Sequence, residues 1–145
     1  MMDPKTVMYQ EGRRQAMALQ EQAPAMTGTE IVAQEGNVPA WDGSKDYSGW
    51  KAGCPVADEG QVWILLQPHN AAHYPGSPSG LRSLWGLAHT TDPAKAKPWV
   101  APYGTSGLYM EGECCTENGE TYRSIQDNNP YAPSAYPVWW EAVSG

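Results

Sequence analysis

A mainly β chain, with two small tandem three-stranded β modules behind a helical N-terminal segment, is the fold this sequence predicts. Three observations lead there. Gly and Pro number 15 and 13 in 145 residues and are spread throughout, which favours short strands and frequent turns over long helices. Residues 1–38 contain no Trp and carry the better helix formers, and the composition changes from Pro39 onward. Beyond that boundary, one order of turn and aromatic residues occurs twice.

Taken in order, the first element is a helix that starts at Asp3-Pro4, an N-cap oxygen followed by Pro at the first helical position. It can run to about Gln22, weakened by Gly12 and stopped by Pro24. Its apolar positions, Val7, Met8, Met17 and Leu19, form no clean stripe. Such a helix needs a partner or a bundle of its own copies, so residues 1–38 read as an anchor and oligomerisation segment. A second short helix is expected in TGTEIVAQEG, with Thr27 or Thr29 as cap and Gly36 as stop.

The first repeated unit, residues 39–90, opens at Trp41 and continues through Tyr47 and Gly53 to EGQVWILLQPHN and SPSGLRSLWGLA. The second, residues 98–145, opens at Trp99 and continues through Tyr109 and Gly112 to NGETYRSIQDNN and APSAYPVWWEAV. Constant spacing pairs Gly53 with Gly112, Gly60 with Gly119, Trp63 with Tyr122, Gln67 with Gln126 and Asn70 with Asn129. After a four-residue shift, Pro78 pairs with Pro133, Ser79 with Ser134 and Trp85 with Trp140. Residues 91–97 are then a linker, short enough to keep the units in contact. In each unit a Gly-led turn joins two short strands. A polar corner (QPHN or QDNN), a Pro-rich loop and a Trp-bearing strand follow. Units of this size bury little, so Trp41, Trp85, Trp99 and Trp140 are expected in the cores. Neighbouring strand residues face opposite ways, which turns Trp139 away from the core that Trp140 closes.

Charge and composition exclude several classes. The net charge is −7 without a basic run, which argues against nucleic acid or an anionic membrane as partner. No stretch approaches the roughly 20 apolar residues of a membrane span. The start, MMDPKTVMYQEGRR, lacks the apolar core of a secretory signal, so cytoplasmic synthesis is expected. Cys54, Cys114 and Cys115 are an odd set and read as partly buried thiols. They form no CxxC, and His69, His73 and His89 lack the spacing of a closed zinc site, so no metal or other cofactor is expected. The carboxylates fall in turns and at strand edges, with no pair marked as acid and nucleophile, which leaves no catalytic residues to name.

The order of an opening Trp, Tyr-x-x-Gly, a Gly-led hairpin into an aromatic strand, a Pro and a closing Trp resembles the type-3 chitin-binding modules, carbohydrate-binding module families 5 and 12. Trp99, Tyr109 with Gly112, NGETYRS, Pro133 and Trp140 carry it in the second unit. Trp41, Gly53, EGQVW, Pro78 and Trp85 carry it in the first, where Tyr47 lies further from Gly53 than the pattern has it. The stretches GQVWILLQPHNAAHYP, LAHTTDPAKAKPWVAPYGTSG and YRSIQDNNPYAP further resemble small proteins encoded among tail genes of phages and prophages of Gram-positive bacteria. That resemblance implies a virion protein with a helical segment ahead of tandem modules. It implies host cell-surface glycan as ligand, other tail proteins as partners and several copies in the assembly.

One departure stands out. The chitin-binding members carry exposed aromatics just after the second hairpin strand, where this chain has QPHNAAH and QDNNPYA. The candidate carbohydrate-binding residues are therefore Trp50, His69, Tyr74, Tyr131, Tyr136 and Trp139. The alternative is that these aromatics seal an interface between units or subunits, in a purely structural virion part. A detached binding module of a glycan hydrolase is the third reading.

Overall fold

The computed structural model describes residues 18–143. It contains a three-stranded and a four-stranded sheet, preceded by a short helical segment. The expected helix start at Asp3-Pro4 lies outside the described residues. Residues 18–22 are helical (α1), and the Pro24 stop appears as a 3-10 turn over Ala23–Ala25. The second helix, α2, spans Gly28–Ala33. Thr27 caps it with a reciprocal box: its hydroxyl accepts from Glu30 N at 3.2 Å, while Glu30 Oε1 accepts from Thr27 N at 2.9 Å. Gly36 does not stop α2; it lies inside a further 3-10 turn, Glu35–Asn37.

The first sheet is β1 (Pro55–Asp58), β2 (Gln61–Leu65) and β3 (Trp85–Leu87), antiparallel throughout. The second is β4 (Lys97–Pro98), β5 (Cys114–Glu117), β6 (Glu120–Ser124) and β7 (Trp140–Val143). It has a strand more than expected because Lys97–Pro98 pairs in parallel with β5, whereas the matching segment of the first unit makes a single bridge, Ala40 to Ala57. Both hairpins turn on two residues with positive φ: Glu59 and Gly60 at 52° and 75°, Asn118 and Gly119 at 53° and 80°. That geometry is the type I′ turn, whose twist matches antiparallel strands.

The hydrogen bonds repeat as the aligned residues do. Gly53 N donates to Leu65 O at 2.7 Å and Gly112 N to Ser124 O at 2.8 Å; Leu66 N donates to Leu84 O at 2.8 Å and Ile125 N to Trp139 O at 3.0 Å. Trp41 N reaches Ala57 O and Trp99 N reaches Thr116 O in the same way. The polar corners repeat too, since Asn70 Oδ1 accepts from Ala72 N and Asn129 Oδ1 from Tyr131 N. Both asparagines thus hold a turn.

The cores differ in closure. Tyr47, Val56, Trp63, Leu65, Ala71 and Trp85 form the first. Tyr109, Cys115 and Trp140 form the second, with Tyr122 and Trp99 only half-buried. Trp41 is half-buried as well, so Trp85 and Trp140 are the fully enclosed pair among the four expected core tryptophans. Trp63 is sealed by the chain that follows. Gln61 Nε2 donates to Pro98 O at 2.9 Å, Arg82 Nη1 donates to Ala101 O at 2.8 Å, and Val100 joins the first core. The guanidinium of Arg82 also covers the Trp63 ring at 5.4 Å. The aligned residues of the second unit are Glu120, Pro137 and Tyr122, which supply neither donor.

Residues 18–38 pack on the first sheet. Ala23, Ile31 and Val32 form a buried cluster with Val62 and Ala88, and Ile64 packs against it. In the second unit the positions of Val62 and Ile64 hold Thr121 and Arg123, and no equivalent apolar layer is present among the described residues. The end of the first unit and the linker are also engaged: Thr90 is buried and its carbonyl accepts from Cys114 N at 2.7 Å. Thr91 N donates to Thr29 Oγ1, and Lys97 pairs with Glu35.

A Cβ added to Gly28 would lie 2.3 Å from the His89 carbonyl oxygen, so Gly28→Ala is expected to cost about 1–3 kcal/mol in urea unfolding. Gly36→Ala, which meets nothing within 4 Å, is expected to leave the midpoint unchanged or raise it. No helix among the described residues is long and apolar enough to cross a membrane.

Candidate functional site

The structure divides the six candidate residues into two groups. Tyr131, Tyr136 and Trp139 come together on the second unit. Their ring centroids lie 5.1 Å (Tyr131–Tyr136), 5.5 Å (Tyr131–Trp139) and 5.3 Å (Tyr136–Trp139) apart. Tyr131 and Tyr136 are 44% and 41% exposed, and Trp139 is half-buried against the core. Trp139 ends a 3-10 turn, Pro137–Trp139, and Trp140 begins β7, so Trp139 is not the outward-facing strand residue expected; it packs against the core that Trp140 closes.

The loop carrying this cluster is held from beneath. Asn129 is fully buried and exchanges both backbone hydrogen bonds with Tyr109, at 3.1 and 2.8 Å. Its side-chain oxygen accepts from Tyr131 N at 3.0 Å, and its amide nitrogen donates to Ser124 Oγ at 3.1 Å and Trp139 O at 3.4 Å. The Trp140 indole N–H donates to Tyr131 O at 2.9 Å. Ala132 O accepts from both Ala135 N and Tyr136 N, and Pro130, Pro133 and Pro137 restrict the intervening backbone. The backbone that carries the rings is therefore held in place by the loop's own bonds. Trp139 and the two tyrosines present apolar faces and, on Tyr131 and Tyr136, hydroxyls at the rim. From 125 to 143 the charged residues are Asp127 and Glu141 alone, and Glu141 stands opposite Arg123 across β6 and β7.

Trp50, His69 and Tyr74 belong to the first unit and make no such surface. Trp50 is half-buried, edge-on to Tyr47 at 4.7 Å, with the Lys45 ammonium 5.0 Å from its ring centroid. His69 is only 6% exposed, which corrects the expectation that it stacks on sugar. Its Nδ1 lies 2.8 Å from Gln67 O and its ring packs against Trp85. The carbonyl acceptor places the proton on Nδ1 in the neutral ring. Tyr74 is exposed but meets His69 edge-on and stands apart from Trp50. The first-unit counterparts of Tyr131, Tyr136 and Trp139 are Ala72, Leu81 and Leu84, and the two leucines pack on the first core.

Sequence reasoning read Asn129 as a turn residue and missed that it supports Tyr131 and Trp139 together; its repeat as Asn70 was the available signal. It also missed Ile125 and Val138, which are 46% and 67% exposed beside Trp139. Two carboxylates nearby are already engaged: Glu117 Oε1 accepts from Ser134 N at 2.9 Å and Asp127 Oδ1 from Glu111 N at 2.9 Å.

No family model matches the chain, and no curated protein matches it.

Proposed function

We propose that this is a non-enzymatic, tail-associated virion protein of a phage or prophage, which holds host cell-surface glycan on Tyr131, Tyr136 and Trp139. The observation that carries the reading is the exposed aromatic cluster, held rigid by Asn129 and Trp140 and replaced by Ala72, Leu81 and Leu84 in the first unit. Sugar rings stack on such faces through their C–H surfaces while hydroxyls meet the tyrosine rim. The first unit then serves as a spacer and a seat for residues 18–38. Attachment to other tail proteins, and to further copies of the chain, is assigned to the N-terminal segment. Several copies raise the effective affinity of a weak single site. Two of the carboxylates around the cluster, Glu117 and Asp127, hold backbone N–H groups, which supports a binding role over catalysis.

A second reading has one specific observation in its favour. Val138 and Ile125 extend the exposed surface with aliphatic area that a sugar does not need, as a protein contact in virion assembly would. Pull-down of full-length protein on purified host cell wall separates the two. The glycan reading expects Tyr131→Ala and Tyr136→Ala each to cut binding about 10-fold or more, with Tyr74→Ala and Val138→Ser near wild type. No binding to the wall by the wild-type protein, even when assembled and multivalent, would favour the assembly reading.

A further inference from the structure

Buried charge is costly unless it is paired, and one cation of this fold lacks an anionic partner. Arg82, in the turn ahead of β3, is half-buried with its guanidinium over the Trp63 ring at 5.4 Å. Nη1 donates to Ala101 O at 2.8 Å. Nε and Nη2 are buried and have no hydrogen-bond partner among the described residues. No carboxylate answers the charge, since the ion pair formed among the described residues is Lys97 with Glu35. The aligned residue of the second unit is Pro137, so this guanidinium is no part of the repeated framework.

Nε–H and one Nη2–H point the same way along one edge of the planar group, the edge that takes both oxygens of a carboxylate. The cover over this edge is slight. A Cβ added at Gly107 would lie 2.8 Å from Nη2, so bare backbone stands against the fork. Gly104 and Gly107 both hold positive φ, 60° and 84°, in a short loop where Tyr103 and Ser106 exchange their backbone hydrogen bonds. From Tyr103 to Leu108, one hydrogen bond among the described residues ties the loop to the rest of the chain. In it His89 Nε2 donates to Gly107 O at 2.9 Å, which puts the neutral ring's proton there. Thr105 and Gly107 also line a half-open cleft of about 380 Å³, so solvent reaches the loop from that side.

We propose that residues 103–107 are a flap over an anion site, in which Arg82 Nε and Nη2 hold a small carboxylate side-on. Lifting Gly107 exchanges its one bond to His89 for two charge-assisted bonds to the ligand, which are the stronger kind. The Trp63 face beneath keeps the guanidinium plane in place. A neutral ligand lacks the charge this fork is short of, and a spherical anion meets it without the two-point match.

Sodium formate, sodium chloride and formamide, titrated into the full chain at neutral pH and matched ionic strength, test this. The readouts are the Arg82 Nε–H resonance and the Gly107 and Leu108 amides. Formate is expected to move all three saturably, and to shift the His89 ring resonances as the flap lifts. Chloride is expected to bind about 10-fold more weakly, and formamide to leave the resonances in place. Arg82→Lys keeps the charge without the fork and should lose the preference for formate over chloride. Gly107→Ala sets a methyl group against Nη2 and should weaken formate binding, with wall binding through Tyr131 and Tyr136 unchanged. An Arg82 Nε–H resonance that formate leaves unmoved in the wild-type protein would overturn the proposal, whether or not the variants fold. So would equal affinity for formate and chloride, or a formate preference kept in Arg82→Lys.

Discussion

Trp140→Ala is expected to destabilise the protein by about 3–5 kcal/mol in urea unfolding, the largest effect of any single truncation in the second unit. That core has three buried members, Tyr109, Cys115 and Trp140, so little surrounds the hole that could close it. The milder pair Trp140→Phe and Trp85→Phe isolates the indole. Both tryptophans are buried, at 6% and 0% exposure, and both changes remove similar volume. Trp140 donates to Tyr131 O, however, whereas Trp85 Nε1 has no partner among the described residues. Trp140→Phe therefore orphans a carbonyl and should cost about 1–3 kcal/mol more than Trp85→Phe. It should also loosen Tyr131 and weaken glycan binding, which Trp85→Phe should leave intact. Equal costs for the two would mean that the indole hydrogen bond does not hold the loop.

The second large effect is on acid. His89 sits where α2, the end of β3 and the second unit meet, and burial lowers its pKa from 6.5 to about 4. Arg82 lowers it further, and the hydrogen bond to the Gly107 carbonyl works the other way. The unfolded chain thus takes up a proton before the folded one does. The His89 contribution is fully present above about pH 6.5, declines as pH falls, and is lost below about pH 4. The expected loss by pH 4 is about 2–3 kcal/mol, read as the difference between wild type and His89→Gln. Glutamine can still donate to Gly107 O but does not titrate, so the variant should show a flatter profile in that window. Glu113, raised by burial, is protonated more readily in the folded chain and opposes the trend, and it is common to both proteins. Glu30, Asp42 and Asp46 are held below their ordinary values by hydrogen bonds from Thr27, Ser44 and Ser48, so they act at lower pH. Parallel profiles for wild type and His89→Gln would show that the junction does not hold a neutral imidazole.

Local signals in the sequence were the readable ones. The second hairpin turn follows from Asn118-Gly119, a pair that accepts positive φ twice in succession; in the first, Gly60 gives the signal and Glu59 takes positive φ against its preference. The cap at Thr27, one of the two threonines expected, follows from a similarly short-range rule, whereas Trp139, expected in a strand and turned from the core, ends a 3-10 turn and packs against that core. What depends on distant parts of the chain was not readable. His69 lies in a polar corner, yet it is enclosed by Tyr47, Tyr74 and Trp85, which no spacing rule brings to it. Trp63 and Tyr122 occupy aligned positions but differ in burial because Gln61 and Arg82 bind residues 98–101 over the first unit, where the aligned Glu120 and Pro137 make no such bonds. Residues 1–38 read as a separate anchor because Val7, Met8, Met17 and Leu19 form no clean stripe, whereas Ala23, Ile31 and Val32 pack on the first sheet. Their partners are Val62 and Ala88, far along the chain. Within the candidate site, sequence supplied Tyr131, Tyr136 and Trp139 individually. Their convergence required the turn that Asn129 holds from below.

The central claim is that glycan meets the second unit alone, on one side. Titrating the full chain with oligosaccharides released from host wall, while following the seven tryptophan indole N–H resonances, tests it most directly. The account predicts saturable movement of the Trp139 resonance, with a smaller response from Trp140 through Tyr131, and none from Trp41, Trp50, Trp63 or Trp85. Movement at Trp50 with Trp139 unchanged would place the site on the first unit and contradict the account, as would the absence of any response from Trp139 at saturating wall fragment.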